Sequence, residues 1–450
     1  MDDARDDTTP RELSGDLYRV VAVVIVVIGH WLLSAVTYRG GRFGYDEVLA
    51  EMPWTQWLTW FFQVVPVFFL VAGYANAASW THRRGAGDGA RPDWVRHRVR
   101  GILGPTTAYV AVVLAVVAIS SWVGLDGSQL AIPGWVVALH LWFLPVYLAV
   151  VSLTPLAVAA QRRWGLKVPA TMCVAVAVVD AVTLGGHVAV LGAVNYALCW
   201  GAIFQIGVAW FGGALRGHRP IVLALGAAVV LATVIGLGLY PISMIGVTGQ
   251  SIQNTSPPTV ALLALATVQA GLLVAAAPAV TAWLRRARWR HLLTIANQNA
   301  LALYLWHMVP VVVVALACYP AGLMAQPNLG SSAWWLWRVA WVAVLTAVTT
   351  IELILLRSGR SLFARPSASV AVRLPLSWRY PLHVAGTIGA IFALLRFAAH
   401  GFTPSGHFPV ANALIYAAGV ALVSLSPVGT GRSHVAPKSL RRQRSFVGDG

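Results

Sequence analysis

The sequence predicts an all-α, polytopic integral membrane protein, with a ten-helix core followed by two additional C-terminal helices. Three observations lead there. First, 58% of the 450 residues are hydrophobic and only 10% are charged, where a soluble globular chain carries about 25% charged residues. Mean hydropathy is +0.71. So few charges cannot cover a soluble surface, and so much apolar content excludes a disordered chain. Second, the apolar residues fall into runs of the length that a bilayer-spanning helix requires, about 20 residues. Third, the basic residues are lopsided. With the N-terminus placed inside, 28 of the 32 Lys and Arg lie on the cytoplasmic side, the pattern of the positive-inside rule.

Twelve runs are expected to span the membrane: 17–37, 57–80, 102–123, 137–160, 168–187, 190–214, 221–241, 259–283, 293–318, 334–356, 383–399 and 409–427. The first is too long for the h-region of a cleavable signal peptide. The second contains Pro66 and Gly73, which permit a kink and close helix approach. The fifth and sixth are nearly continuous, and the eleventh is short and carries Arg396. Tryptophans such as Trp57, Trp80, Trp122, Trp135, Trp334 and Trp335 stand near span ends, as interfacial belts require. The expected organisation is a cytoplasmic segment 1–16, a membrane domain 17–356, a basic Pro-containing linker 357–382, two further helices in 383–427, and a basic tail 428–450. Both termini are then cytoplasmic.

The net charge of +17 follows from this topology, because the basic residues are anchors. It therefore does not indicate nucleic acid, even at the segment RRARWRH (285–291). The three cysteines, Cys173, Cys199 and Cys318, lie inside apolar runs and form neither a disulfide framework nor a metal site. No histidine spacing suggests a metal either. The bilayer is the one partner that composition alone establishes.

Polar residues within spans are costly and mark function. Arg19 and His30 are eleven residues apart, which is about 20° past three full turns, so they share one face of the first helix about 16 Å apart along its axis. The imidazole is a natural general base near neutral pH. The competing reading is a packed histidine plus a snorkelling arginine. In the ninth span, Asn297 and Tyr304 share a face and His307 follows three residues later. His140 lies near the outer end of the fourth span and is read either as an acceptor contact or as an interfacial histidine. Glu352, near the inner end of the tenth, either supports the site or pairs with Arg357. Asp180 reads better as a structural ion-pair member.

Several segments agree in order. They are the R-x10-H spacing of Arg19 and His30, FFLVAGY (68–74), the run containing Arg96, Arg98, Arg100 and Pro105, HLWFL (140–144), and YLWH (304–307). Together, over residues 15 to about 356, they resemble the membrane acyltransferase-3 family of bacterial envelope O-acyltransferases. Ala72 stands where that family usually has Ser, and the Arg98–Arg100–Pro105 spacing is shifted from its paired-Arg-then-Pro pattern. The resemblance implies transfer of an acyl group, commonly acetyl, from cytosolic acyl-CoA to a hydroxyl of an extracytoplasmic or lipid-linked carbohydrate. It implies the bacterial inner membrane as location, and acyl-CoA as donor substrate rather than a bound cofactor. In that frame His30 and Arg19 are the catalytic pair, and Arg96, Arg98 and Arg100 bind the donor. His140, Tyr304, His307 and Glu352 contact the acceptor or support His30. The rival class is a secondary transporter of a small solute or glycolipid. It calls for paired broken helices in corresponding halves, and the sequence shows no such pairing.

Overall fold

The structure is a computed structural model. It describes residues 13–83, 90–125, 127–186, 189–286, 289–358, 370–372 and 374–427. The expected cytoplasmic tail 428–450, most of the segment 1–16, residues 359–369 and 373 of the linker, and the loop arginine Arg84 lie outside the described residues.

The all-α expectation holds. Among the described residues nine helices are long and apolar enough to cross a membrane, or up to eleven if each of two bent pairs counts as one span. The twelfth expected span is a shorter apolar helix, Val410–Ser424. We number the principal helices α1 (Leu13–Leu33), α2 (Val65–Arg83), α3 (Ala90–Trp122), α4 (Gly127–Val136), α5 (Phe143–Ser152), α6 (Thr154–Trp164), α7 (Lys167–Gly186) and α8 (Val194–Phe211). They continue as α9 (Arg219–Gly236), α10 (Val260–Arg286), α11 (Arg290–Trp306), α12 (Val309–Cys318), α13 (Ser332–Ser358), α14 (Arg379–His400) and α15 (Val410–Ser424).

Helix α1 begins four residues earlier than the expected edge and ends four earlier. Its last expected residues form instead a hairpin, β1 (Val36–Arg39) with β2 (Arg42–Tyr45). Gly40 and Gly41, at φ +58° and +77°, make its two-residue turn, a conformation that glycine adopts without steric cost. The hairpin is tied to the α12–α13 connection by one amide: Gln326 accepts from the Tyr38 N–H at 2.6 Å and donates to the Tyr38 carbonyl at 3.0 Å.

Helices α2 and α8 cross at Gly73 and Gly207, where a Cβ added to Gly73 would lie 2.0 Å from the Phe204 carbonyl oxygen. Small residues let backbones meet in a membrane, where packing rather than water drives association. Around this crossing sits an aromatic core that includes Phe69 stacked on Trp200.

Two spans are broken. Gln129–Val136 and Leu139–Ser152 meet at a 42° bend, and Arg290–Trp306 and Val309–Cys318 at 51°. Proline explains the second, since it lacks the N–H that continues a helix and clashes with the preceding turn. Pro310 follows that bend. This corrects the expectation that the sequence holds no paired broken helices.

The last two helices are packed into the core rather than appended to it. Helices α14 and α15 pair with each other, and α14 also packs on α5 and on the turn Leu139–Trp142. Phe397 and Phe402 are fully buried, and Phe402 faces Tyr109 of α3. Arg379, at the start of α14, forms an ion pair with Asp93 of α3.

Candidate functional site

Helices α1 and α11 lie side by side and run in the same direction, joined by two polar rungs. The first rung is at the start of α1. Arg19 Nη1 donates to Asn297 Oδ1 at 3.0 Å, Asn297 Nδ2 donates to Asp16 Oδ1 at 2.8 Å, and Arg19 lies 4.0 Å from Asp16. The Arg19 side chain remains 30% exposed, so the guanidinium is held in place without being sealed in.

The second rung is built on the ring of His30. His30 Nδ1 and His307 Nε2 are 2.7 Å apart, and His307 Nδ1 is 2.7 Å from the Tyr304 carbonyl oxygen. A carbonyl only accepts, so His307 Nδ1 carries the proton. In neutral His307 the other nitrogen, Nε2, is then an acceptor, so His30 Nδ1 donates to it. The lone pair of neutral His30 is left on Nε2. The pair therefore orients His30 and fixes its tautomer through its partner, a detail that decides which nitrogen can take a proton. Trp31 Nε1 donates to the His307 carbonyl at 2.8 Å and holds the same turn. His307 is fully buried, whereas His30 is only partly so.

The helix breaks supply this geometry. The last carbonyls of a helix lack intrahelical donors, and Tyr304 lies in the last turn of α11, where its carbonyl accepts from a side chain. At the other break, Tyr109 donates its hydroxyl to the Val137 carbonyl at 2.5 Å, and Tyr304 donates to the His140 carbonyl. Irregular backbone at membrane depth is tolerated only with such partners.

His140 joins the cluster. Its ring lies 5.0 Å from His307, 5.4 Å from Tyr304 and 5.8 Å from Tyr109, centroid to centroid. Neither of its ring nitrogens makes a well-formed hydrogen bond. Four of the expected residues, His30, His140, Tyr304 and His307, thus converge from three separate runs of sequence.

Glu352 faces inward from α13 with Oε2 buried and unpaired, and it makes no ion pair with Arg357 among the described residues. It lies within electrostatic range of Tyr109. Asp180 accepts from the Tyr240 hydroxyl at 2.7 Å and from the Val260 N–H at 2.8 Å, a structural role.

The three arginines expected to bind donor divide. Arg98 lies 5.4 Å from the Trp94 ring centre, and Arg100 has its Nε buried without a hydrogen-bond partner. Arg96 is otherwise engaged. Its guanidinium donates to the carbonyls of Val423, Ser424 and Leu425 and to Ser426 Oγ. It caps the C-terminal end of α15, where orphan carbonyls and the helix dipole favour a cation. Burial and four hydrogen bonds to residues 423–426 commit the Arg96 guanidinium to holding the end of α15, which sets it apart from the other two arginines.

Asp16 and Tyr109 were not among the expected site residues. Asp16 is legible in hindsight, three residues before Arg19 on the same face. Tyr109 carries no local signal, because its partner, Val137, is fixed only by the helix break. Among the described residues no group of three or more His, Cys, Asp or Glu could hold a metal ion.

Comparisons with curated proteins and with solved structures found no match. A family model described as an acyltransferase domain matches residues 13–357, a stretch that begins at the first residue of α1 and contains both polar rungs. With well over half of the chain matched, the protein belongs to the acyltransferase-3 family and is a membrane-embedded acyltransferase.

Proposed function

We propose that the protein transfers an acyl group, acetyl in the simplest case, from cytosolic acyl-CoA to a hydroxyl of an extracytoplasmic or lipid-linked carbohydrate, in the bacterial inner membrane. The observation that carries this reading is the His30–His307 hydrogen bond, which presents His30 Nε2 as a base within an acyltransferase domain. His30 Nε2 takes the acceptor hydroxyl proton as that oxygen attacks the thioester carbonyl. The tetrahedral intermediate collapses, the C–S bond breaks, and the proton passes from His30 to the CoA thiolate. The products are an ester and free CoA. His307 Nε2, accepting from His30 Nδ1, stabilises the imidazolium formed on the way. Transfer is direct, since no nucleophile for a covalent acyl-enzyme is identified.

Arg19, Arg98 and Arg100 are the donor-side residues in this reading, because guanidinium groups make strong charge-assisted bonds to phosphate. Loss of one such contact costs about 1.5–3 kcal/mol, or roughly a tenfold to hundredfold rise in donor KM. Arg98→Ala and Arg100→Ala should show this rise with acceptor KM little changed. Unchanged donor KM in both would reduce them to topological anchors. Arg96→Ala should lower the yield of folded protein instead.

Sidedness follows from the distribution of basic residues and has its own test. A cysteine replacing Ser251, which is exposed in the α9–α10 connection, should react with an impermeant thiol reagent added outside intact cells, whereas one replacing Ser445 should not. Labelling of the Ser445 variant would reverse the orientation.

The two broken spans favour a second reading, a transporter of a small solute or glycolipid, since discontinuous helices at mid-membrane are built into many transporters. Proteoliposomes loaded with acetyl-CoA and given external acceptor separate the two. Ester formation supports the transferase; solute accumulation without ester formation supports the transporter.

A further inference from the structure

Opposite the Arg19 end of α1, the hairpin, the α12–α13 connection and the first turns of α13 line a shallow, open cleft. Its wall is aromatic, with Tyr319, Trp334, Trp337 and Trp341. Arg338 stands among them, only 7% exposed. The guanidinium lies 4.7 Å from the Trp334 ring centre and 5.9 Å from that of Trp341. Its single protein hydrogen bond among the described residues is from Nη1 to the Ser34 carbonyl at 3.0 Å. It has no carboxylate within ion-pair distance among them.

The cleft holds one carboxylate, Asp46, and that is already bound by Arg39 at 3.1 Å. The local charges are therefore one close ion pair plus a nearly buried guanidinium that Asp46 favours only from beyond ion-pair distance. A buried charge is tolerated where it is paired and fully hydrogen-bonded, and Arg338 lacks the anion that would complete it. Its planar fork suits a carboxylate or phosphate bound through two parallel N–H···O bonds.

The cleft is also joined to the catalytic turn. Ser34, whose carbonyl holds Arg338, directly follows α1 four residues after His30, and Ser34 Oγ donates to the His30 carbonyl at 2.6 Å. Ser34 thus ties the Arg338 guanidinium to the backbone turn that carries His30.

We propose that this cleft is the acceptor site and that the acceptor is an anionic glycan or glycolipid headgroup, its charge held by Arg338 and its ring lying against the tryptophan wall. This rests on the transferase reading above and adds the site and the charge of the acceptor. Two sources supply the same chemistry: a carboxylate on the sugar itself, as in a uronic acid, or a phosphate linking the sugar to lipid.

The test is equilibrium binding to the full chain in nanodiscs without acyl-CoA, using methyl glucuronide, glucose 1-phosphate and methyl glucoside as probes. At least one anionic probe should bind at least tenfold more tightly than methyl glucoside. The tighter of the two anionic probes names the source of the charge. Arg338→Gln should abolish the preference, and Arg338→Lys should restore it in part, since charge returns without the fork. Asp46→Asn removes the one carboxylate that lines the cleft among the described residues and should tighten the anionic probe several-fold, so this variant decides the matter if Arg338→Gln does not fold. Equal binding of neutral and anionic probes, or an anionic preference unchanged in both Arg338→Gln and Asp46→Asn, would overturn the assignment. Neither readout needs turnover. Anionic binding in a chain that transfers no acyl group ends the mechanism but not the cleft, and transfer without anionic preference does the reverse.

Discussion

His30→Ala should lose between about a hundredfold and ten-thousandfold in kcat, the usual cost of removing a positioned general base, while the protein still inserts and binds acyl-CoA. The side chain sits in the last turn of α1, and its ring hydrogen-bonds to and stacks on His307, so truncation opens a small space without unseating a helix. His307→Ala should act in the same direction by a smaller factor, because it leaves His30 in place but frees its tautomer and removes the acceptor that stabilises the imidazolium. A packing role for the pair predicts the opposite split: lower melting temperature or yield in both variants, with turnover per folded molecule nearly normal. Single-turnover rates on material of measured folded fraction separate the two. Near-normal turnover in His30→Ala would end the mechanism.

Deleting everything after residue 378 should remove nearly all folded protein. The motifs stop before this point, and sequence reasoning alone makes the two final helices dispensable. Packing argues otherwise. Deletion strips Arg96 of every hydrogen-bond acceptor it has and removes the Arg379 partner of Asp93. Breaking one buried charged contact on one side costs about 3–5 kcal/mol. It also withdraws Phe397 and Phe402 from the core, and losing a single buried aromatic side chain costs about 3–5 kcal/mol. Together these approach or exceed the whole stability of a typical domain, about 5–15 kcal/mol. Size-exclusion profiles in detergent report the outcome directly. A monodisperse truncated protein that still transfers acyl groups would show that the contacts of α14 and α15 contribute little.

The long-range order of the chain was legible because bilayer thickness fixes span length and charge fixes span ends. The R-x10-H spacing also placed Arg19 and His30 correctly on one face. What the sequence did not reveal depends on contacts between distant runs. The spacing of Asn297, Tyr304 and His307 indicated a shared face but not that it meets α1, residue for residue, at both rungs. Arg96 looked equivalent to Arg98 and Arg100 because loop arginines near a membrane are alike in composition. Only its meeting with the end of α15, some 330 residues away, distinguishes it. The break near His307 was signalled by Pro310, but a membrane helix often absorbs proline with a mere kink. The hairpin was signalled by Gly40-Gly41 and hidden by an apolar run that continued through Val36.

The chain of hydrogen bonds behind His30 ends on a backbone carbonyl, that of Tyr304. A carbonyl neither stores a proton nor passes one onward, so the relay is a dead end rather than a wire. In the proposed mechanism the proton borrowed from the acceptor hydroxyl has one destination, the departing thiolate, so one hydrogen passes inward as the acyl group passes outward and each cycle moves no net charge across the bilayer. Acyl transfer across this membrane should therefore run at the same rate whether or not the membrane is energised: the thioester alone drives it, and collapse of the proton gradient leaves it untouched.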